Sequence, residues 1–291
     1  PLIGDFESSY SAVRGSGKEY YATLGMNYVK PLTSQAVLPD GSTNTLAPTA
    51  DDLIQQAWVV ATHIPTDGLT YWSMNTLFDG LQRRGGCYAE PGTHERLGAV
   101  LGNELLAVGT LLKQVPNVQR PVALLLPEST LWLCAGEGSW GWGTAHYPNA
   151  WKNWVGGMGL PYDVLHDHEV TPGALARYRA VIFPMAEFVS EKVHHEVMAA
   201  AAAGTEIIVD SYCRQSYPGM ARLGQQYFHR LRDKSGYAAM VAETEAFLAG
   251  LKERLLPRLD ASAAGEAGPV LFNIREADGA RYVSIVNDHR R

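Results

Sequence analysis

Glu7 closes the run Pro1-Leu-Ile-Gly-Asp-Phe-Glu7, whose apolar residues suit a buried strand before the chain turns polar and glycine-containing from Ser8 to Lys18. A carboxylate just past the end of a parallel strand sits where (β/α) barrels place their catalytic groups. Asp5 is two residues earlier, so on a strand both carboxylates face one side and each perturbs the ionisation of the other. Such a pair suits acid–base or nucleophilic work, and it equally suits a solvated, salt-bridged rim. Trp72, near the end of the strand-like run Leu69 to Met74, offers either a flat platform for a sugar ring or a bulky core filler.

Other constellations carry less chemistry. Cys213 follows a strand, as a nucleophile elbow would, but Ser211-Tyr-Cys-Arg-Gln lacks the flanking glycines of such a turn, so a structural thiol is expected. His194 and His195 are adjacent on a predicted helix and diverge by about 100°, so they do not converge on one ligand. His166 and His168 lack a third ligand at metal-binding spacing and read, with Asp167 and Glu169, as a polar loop. The stretch Gly136 to Gly143 matches neither phosphate-binding glycine pattern. Its Trp140 and Trp142, with Tyr147, Trp151 and Trp154, are expected in an aromatic loop at a subunit interface or beside a sugar site. Neither a metal nor a cofactor is expected.

The elements that must position these residues follow from periodicity and punctuation. Thr49 caps a predicted helix in which Leu53, Ile54, Ala57, Trp58 and Ala61 share one face, ending before Pro65. With the Leu2–Glu7 and Leu69–Met74 runs it makes a βαβ-like unit. Leu97, Leu101, Leu105, Val108 and Leu112 mark a second helix from Thr93 to Leu112. Strands follow at Pro121–Leu126, Tyr162–Leu165, Ala180–Phe183 and Glu206–Asp210, with an alanine-rich helix from Glu191 to Ala203 closed by Gly204, which points to an open parallel sheet. A further helix is expected over residues 237–256 and a small-residue linker from Asp260 to Gly268. Asp278-Gly279 then joins two strand patterns as a hairpin, whose marginal stability alone calls for more strands or support from the preceding domain.

The chain has 291 residues, with 24 Lys and Arg against 30 Asp and Glu, a formal charge of −6 and no basic run, so a nucleic-acid partner is not expected. No stretch of about 18 apolar residues spans a membrane. Cys87, Cys134 and Cys213 are odd in number and without a C-x-x-C pair, which favours a reducing, cytoplasmic setting. The opening, without Met or a signal-like segment, reads as the interior of something longer.

In this order the pieces resemble glycoside hydrolase family 42, the β-galactosidases. Pro1 to Ser9, Gln56-Ala-Trp58, Thr66 to Trp72, Glu95-Arg-Leu-Gly98 and Gly102-Asn-Glu-Leu are similar to the last two strands of that family's TIM barrel. Pro121 to Leu126, Leu175 to Pro184 and Ala203 to Asp210 resemble its flavodoxin-like (glutamine-amidotransferase-like) trimerisation domain, and the terminal hairpin resembles the start of its small β domain. The resemblance implies residues 1–116 as the C-terminal part of a barrel, 117–260 as the flavodoxin-like domain and 269–291 as the start of a β domain. It implies a retaining glycosidase acting on β-linked oligo- or polysaccharide, with Glu7 as nucleophile and Asp5, Trp72 and Asn75 beside the sugar. It also implies a homo-oligomer, a trimer in that family. Retention needs a second carboxyl, which in the family lies on the fourth barrel strand and would precede Pro1, so this chain alone is expected to be inactive. Where the family has Pro-Gly and Asn-Trp pairs after its nucleophile, this chain has Ser8-Ser9-Tyr10-Ser11-Ala12, which leaves a related glycosidase of another sugar open. The alternative is a non-catalytic flavodoxin-like module for oligomerisation or ligand binding.

Overall fold

The computed structural model describes residues 10, 13–25, 36–37, 43–44, 50–72, 93–134, 151, 155, 161–222, 242, 246–247, 249–253 and 270–287. Two compact units divide the chain: Pro1–Ser16, Asn117–Ile274 and Tyr282–Arg291 form one, and Gly17–Pro116 with Arg275–Arg281 form the other.

In the second unit, β1 (Tyr21–Gly25) is followed by the short antiparallel pair β2 (Ala36–Val37) and β3 (Thr43–Asn44), helix α1 (Ala50–His63) and β4 (Gly68–Trp72). β1 and β4 pair in parallel, from Tyr21 opposite Gly68 to Gly25 opposite Trp72. A βαβ unit is therefore present, but the described partner of β4 is Tyr21–Gly25, while the Leu2–Glu7 run lies outside the described residues. Alternation along the pair buries Ala22 and Leu24 and leaves Thr23 and Thr70 on the other face, where their hydroxyls meet at 2.9 Å. After β4 come α2 (Thr93–Val100) and α3 (Leu106–Gln114), joined by a turn of wider π-helix over Leu101–Leu105. Leu53 and Leu97 form a small core to which Ile54, Tyr71 and Leu101 add.

The first unit holds β5 (Val122–Leu126), α4 (Glu128–Cys134), β6 (Tyr162–His166), β7 (Ala180–Phe183), α5 (Glu191–Ala202), β8 (Glu206–Val209) and β9 (Ala221–Arg222). All five strands are parallel, in the spatial order β6-β5-β7-β8-β9. Both faces are covered, so β5 and β7 are buried at every residue and read as unbroken apolar runs rather than alternating ones. Val122, Leu124, Leu126, Ile182 and Ile208 pack on one face with Trp151 and Leu251. Ala123, Leu125, Val181, Phe183 and Val209 pack on the other with Val193, Val197 and Ala200 of α5. Ser190 caps α5 by accepting from the Val193 N–H, and past its end Gly204 takes φ of +95°, a backbone region open to glycine at little cost.

β10 (Val270–Ala277) and β11 (Ala280–Asn287) form the closing antiparallel hairpin. Asp278 and Gly279 both have positive φ, 52° and 76°, as a two-residue type I′ turn requires. Arg275, at 2% exposure, donates to the Leu112 and Val115 carbonyls at 2.5 and 2.8 Å, and to those of Ala61 and Thr62 at 3.4 and 3.2 Å. One guanidinium thus satisfies carbonyls at the C-terminal ends of both α1 and α3, where the helix dipole also favours a cation.

Candidate functional site

Of the carbohydrate-site residues expected from sequence, Glu7, Asp5 and Asn75 lie outside the described residues. Trp72 is placed through its backbone alone, as the last residue of β4 opposite Gly25. The strand that carries it runs in parallel with its neighbour, so their C-terminal ends share one edge, the edge at which strand-borne chemistry collects in α/β folds.

The corresponding edge of the five-stranded sheet is described in full at four strand ends, and its polar groups hold one another. Glu128, at the start of α4, lies 3.3 Å from His166 Nδ1 through one oxygen and 3.4 Å from His168 Nδ1 through the other, and the two imidazoles stack with centroids 6.0 Å apart. Asp167 accepts from the backbone N–H and hydroxyl of Ser129 at 3.2 and 3.1 Å, and burial raises its carboxyl above the ordinary aspartate range. The Glu169 carboxylate accepts from the His166 N–H at 3.1 Å and lies 3.4 Å from Arg14 Nε. The polar loop expected here is a set of ties between β6 and α4. No group of three or more His, Cys, Asp or Glu among the described residues is placed to hold a metal ion.

Between β5 and β7 the chain order reverses direction across the sheet, the place where open α/β sheets commonly leave a ligand crevice. Here side chains tie the two loops together. Thr130, fully buried, donates to the Phe188 carbonyl at 2.9 Å and accepts from its N–H at 2.9 Å. Met185, directly after β7, takes φ of +58°, a conformation that costs a non-glycine residue about 1–2 kcal/mol. The buried Asp210 carboxylate holds it there by accepting from the Met185 N–H at 2.9 Å, while its other oxygen accepts from the Tyr212 N–H at 3.1 Å. Arg222 donates to the carbonyls of Asp210 and Cys213 at 3.1 and 2.7 Å. Arg214 pairs with Glu187 and lies over the Phe188 ring, 5.8 Å from its centroid.

Cys213 behaves as the structural thiol expected. It is buried, its Sγ faces the Gln215 carbonyl at 3.5 Å, and burial pushes its thiol above the usual range, which disfavours the thiolate a nucleophile needs. His194 and His195 diverge as adjacency on a helix dictates: His194 packs on the Tyr217 ring at 5.4 Å, while His195 is 79% exposed along its side chain. Trp151 corrects an expectation. It is not in a loop at a subunit interface or beside a sugar site but is buried at 1% exposure in the core cluster with β5 and β6, where a large ring fills the apolar face. The other aromatic residues of that stretch, and the glycine run before them, lie outside the described residues. Sequence reasoning missed Asp210 as the anchor of the edge, although an acid closing the apolar run Ile207–Val209 was its visible signal.

These features define an α/β protein with a parallel sheet and a closing antiparallel hairpin. The structure is similar over 98% of the chain to Gan42B, a GH42 beta-galactosidase, with a TM-score of 0.56 and 15% identity, covering 51% of that protein. A catalytic mutant of Gan42B from G. stearothermophilus matches over 83% of the chain and 46% of its own length, with a TM-score of 0.51 and 16% identity. The beta-galactosidase from Bacillus circulans sp. alkalophilus follows with a TM-score of 0.49 and 13% identity, over 73% of this chain and 30% of that one. The chain therefore spans about half the length, or less, of the structures it is similar to. No protein-family profile matches it, and no curated protein matches it by sequence. No helix among the described residues is long and apolar enough to cross a membrane.

Proposed function

We propose that this chain is the C-terminal part of a retaining, β-galactosidase-like glycoside hydrolase of the family 42 type, acting on β-linked oligo- or polysaccharide. The observation that carries the reading is the likeness to Gan42B, a GH42 beta-galactosidase, across 98% of the chain. The parallel β1–β4 pair with α1 between its strands supports assigning residues 1–116 to the end of a (β/α) barrel. In chain order the five-stranded sheet runs second, first, third, fourth, fifth, which supports a flavodoxin-like domain over residues 117–260. The hairpin of residues 269–291 would begin a small β domain.

In this reading Glu7 is the nucleophile, Asp5, Trp72 and Asn75 line the sugar site, and the second carboxyl belongs to the part of such a protein that this chain does not span. The two carboxyls of a retaining enzyme stand about 5–5.5 Å apart, the first forming a glycosyl-enzyme and the second serving as acid and then base. The setting is a reducing cytoplasm and the assembly a homotrimer built through the flavodoxin-like domain. In a protein extended to the length of those relatives, Glu7→Gln is expected to lower turnover of 4-nitrophenyl β-galactoside by roughly a thousandfold or more. Parental turnover in that variant would remove Glu7 from the mechanism.

Taken alone, the 291-residue chain is read as the association module. The ties among Glu128, His166, His168, Thr130 and Phe188 favour this, because they engage the sheet edge in packing rather than in a nucleophile–base pair. Light scattering at micromolar concentration is expected to give a trimer, and a monomer throughout would count against the module.

A further inference from the structure

Within the Gly17–Pro116 unit a cavity of about 420 Å³ runs between β4 and the helical stretch from Leu101 to Lys113. Its size falls in the range of pockets that take small molecules, about 300–1,000 Å³. Its walls are mainly apolar, with Ile64, Leu69, Leu105 and Leu106 prominent, and Leu106 is 74% exposed at its lip.

Two features of the sequence make the space. Gly102, in the π-helical turn, and Gly109, in α3, both line it, and a Cβ at either would meet no atom within 4 Å. They are not glycines demanded by a close approach; they leave room. The π-helical turn Leu101–Leu105 lies in the same wall, and such turns inside α-helices recur at functional sites.

One end is polar. Lys113 Nζ and Asp67 Oδ1 pair at 2.7 Å, and the other Asp67 oxygen accepts from the Tyr20 N–H at 2.9 Å. Lys113 keeps further ammonium hydrogens, while the neighbouring carboxylate cancels its charge. Glu19 adds a second carboxylate acting on Lys113, so the end offers a hydrogen bond to an acceptor but no net attraction for an anion. Asp67 and Lys113 stand beside Gly68, the first residue of β4, whereas strand-borne chemistry in such folds gathers at the opposite, C-terminal end.

We propose that this cavity is a second, non-catalytic binding site for a neutral amphiphile, an apolar aliphatic or aromatic body carrying one hydroxyl or carbonyl that Lys113 recognises. The inference stands apart from the glycosidase reading and does not need it.

The test uses the 291-residue chain, with 4-phenylbutan-1-ol as probe and 4-phenylbutyrate and 4-phenylbutylamine as charged analogues of the same skeleton, followed by saturation-transfer NMR. The alcohol is expected to bind with a dissociation constant on the order of 1 mM or tighter. Both charged analogues should bind at least about fivefold more weakly, the carboxylate because Asp67 and Glu19 repel it and the ammonium because it brings no acceptor for Lys113. Gly109→Leu grows a side chain into the space with a better helix former, so binding should vanish while the thermal midpoint stays level or rises. No binding by the parent, equal binding by Gly109→Leu, or equal binding of all three compounds would overturn the proposal. So would a parent chain that self-associates through the cavity, detected as dissociation on Gly109→Leu without any probe binding, because the occupant would then be a second copy.

Discussion

The β1–β4 pair and the five-stranded sheet are both parallel, and their difference lies in how much surrounds them. β5 and β7 are buried along their whole length between two clusters of side chains. β4 among the described residues has one strand partner, a small core around Leu53 and Leu97, and a cavity along its flank. A parallel sheet needs both faces covered, so the five-stranded sheet meets that requirement within its own unit, whereas the β1–β4 pair depends on a few specific contacts.

Substitutions in the two regions test this contrast. The largest effect is expected at Leu124, fully buried in the sheet core, where Leu124→Ala should cost about 3–5 kcal/mol in denaturant unfolding. Leu53→Ala, equally buried but in the smaller cluster, should cost less, about 2–3 kcal/mol, because its surroundings can close around the gap. Equal costs would erase the distinction. Asp210→Ala removes both acceptors that hold Met185 and Tyr212, and about 3 kcal/mol should be lost as two buried N–H groups go unpaired. Arg275→Met should cost about 2–3 kcal/mol by stranding carbonyls at two helix ends. Protection of α1 and α3 amides against hydrogen exchange should fall with it.

The smallest effects concern pH, and they have opposite signs in the two regions. Burial raises the Asp167 carboxyl, so the folded state takes up a proton before the unfolded state does. Stability from this group therefore rises as pH falls through its raised value toward the ordinary aspartate range, and Asp167→Asn should flatten that slope. Asp67 is lowered, chiefly by its hydrogen bond with Lys113 and then by the Tyr20 N–H. Its contribution is present above the ordinary aspartate range and lost as pH falls through the lowered value. Because the Lys113 side chain is 62% exposed, solvent screens the pair, and Asp67→Asn should cost only a few tenths of a kcal/mol and remove a slope of the opposite sign. Thermal midpoints of both variants between pH 3 and 7 check the signs.

What the residues reveal in advance follows the same division. β5, β7, α5 and the Asp278-Gly279 turn are legible because an unbroken apolar run, an alanine-rich run closed by a glycine, or a two-residue turn states the local structure outright. β1 is not, since Tyr21-Ala-Thr-Leu-Gly25 offers two inward residues and its pairing with β4 depends on register. The π-helical turn at Leu101–Leu105 hides because its leucines keep the spacing of an ordinary helix. Arg275 hides for a different reason: in a strand pattern a charged residue reads as outward, and its acceptors lie as many as 214 positions earlier. As for the candidate site, Trp72 lies at a strand end as read, with its backbone opposite Gly25, and Cys213 and the His194–His195 pair keep their expected structural roles. Asp210 was missed because a single acid after a strand looks like a cap until the buried N–H groups around it are seen.

In the proposed reading Glu7 attacks a sugar. The most direct test incubates a protein of the relatives' full length with a 2-deoxy-2-fluoro-β-galactoside bearing a good leaving group, then maps the product by mass spectrometry. A covalent fluorosugar is expected on the peptide containing Glu7, formed as activity is lost. A label on another carboxylate, or none from a protein that still turns over substrate, would contradict it.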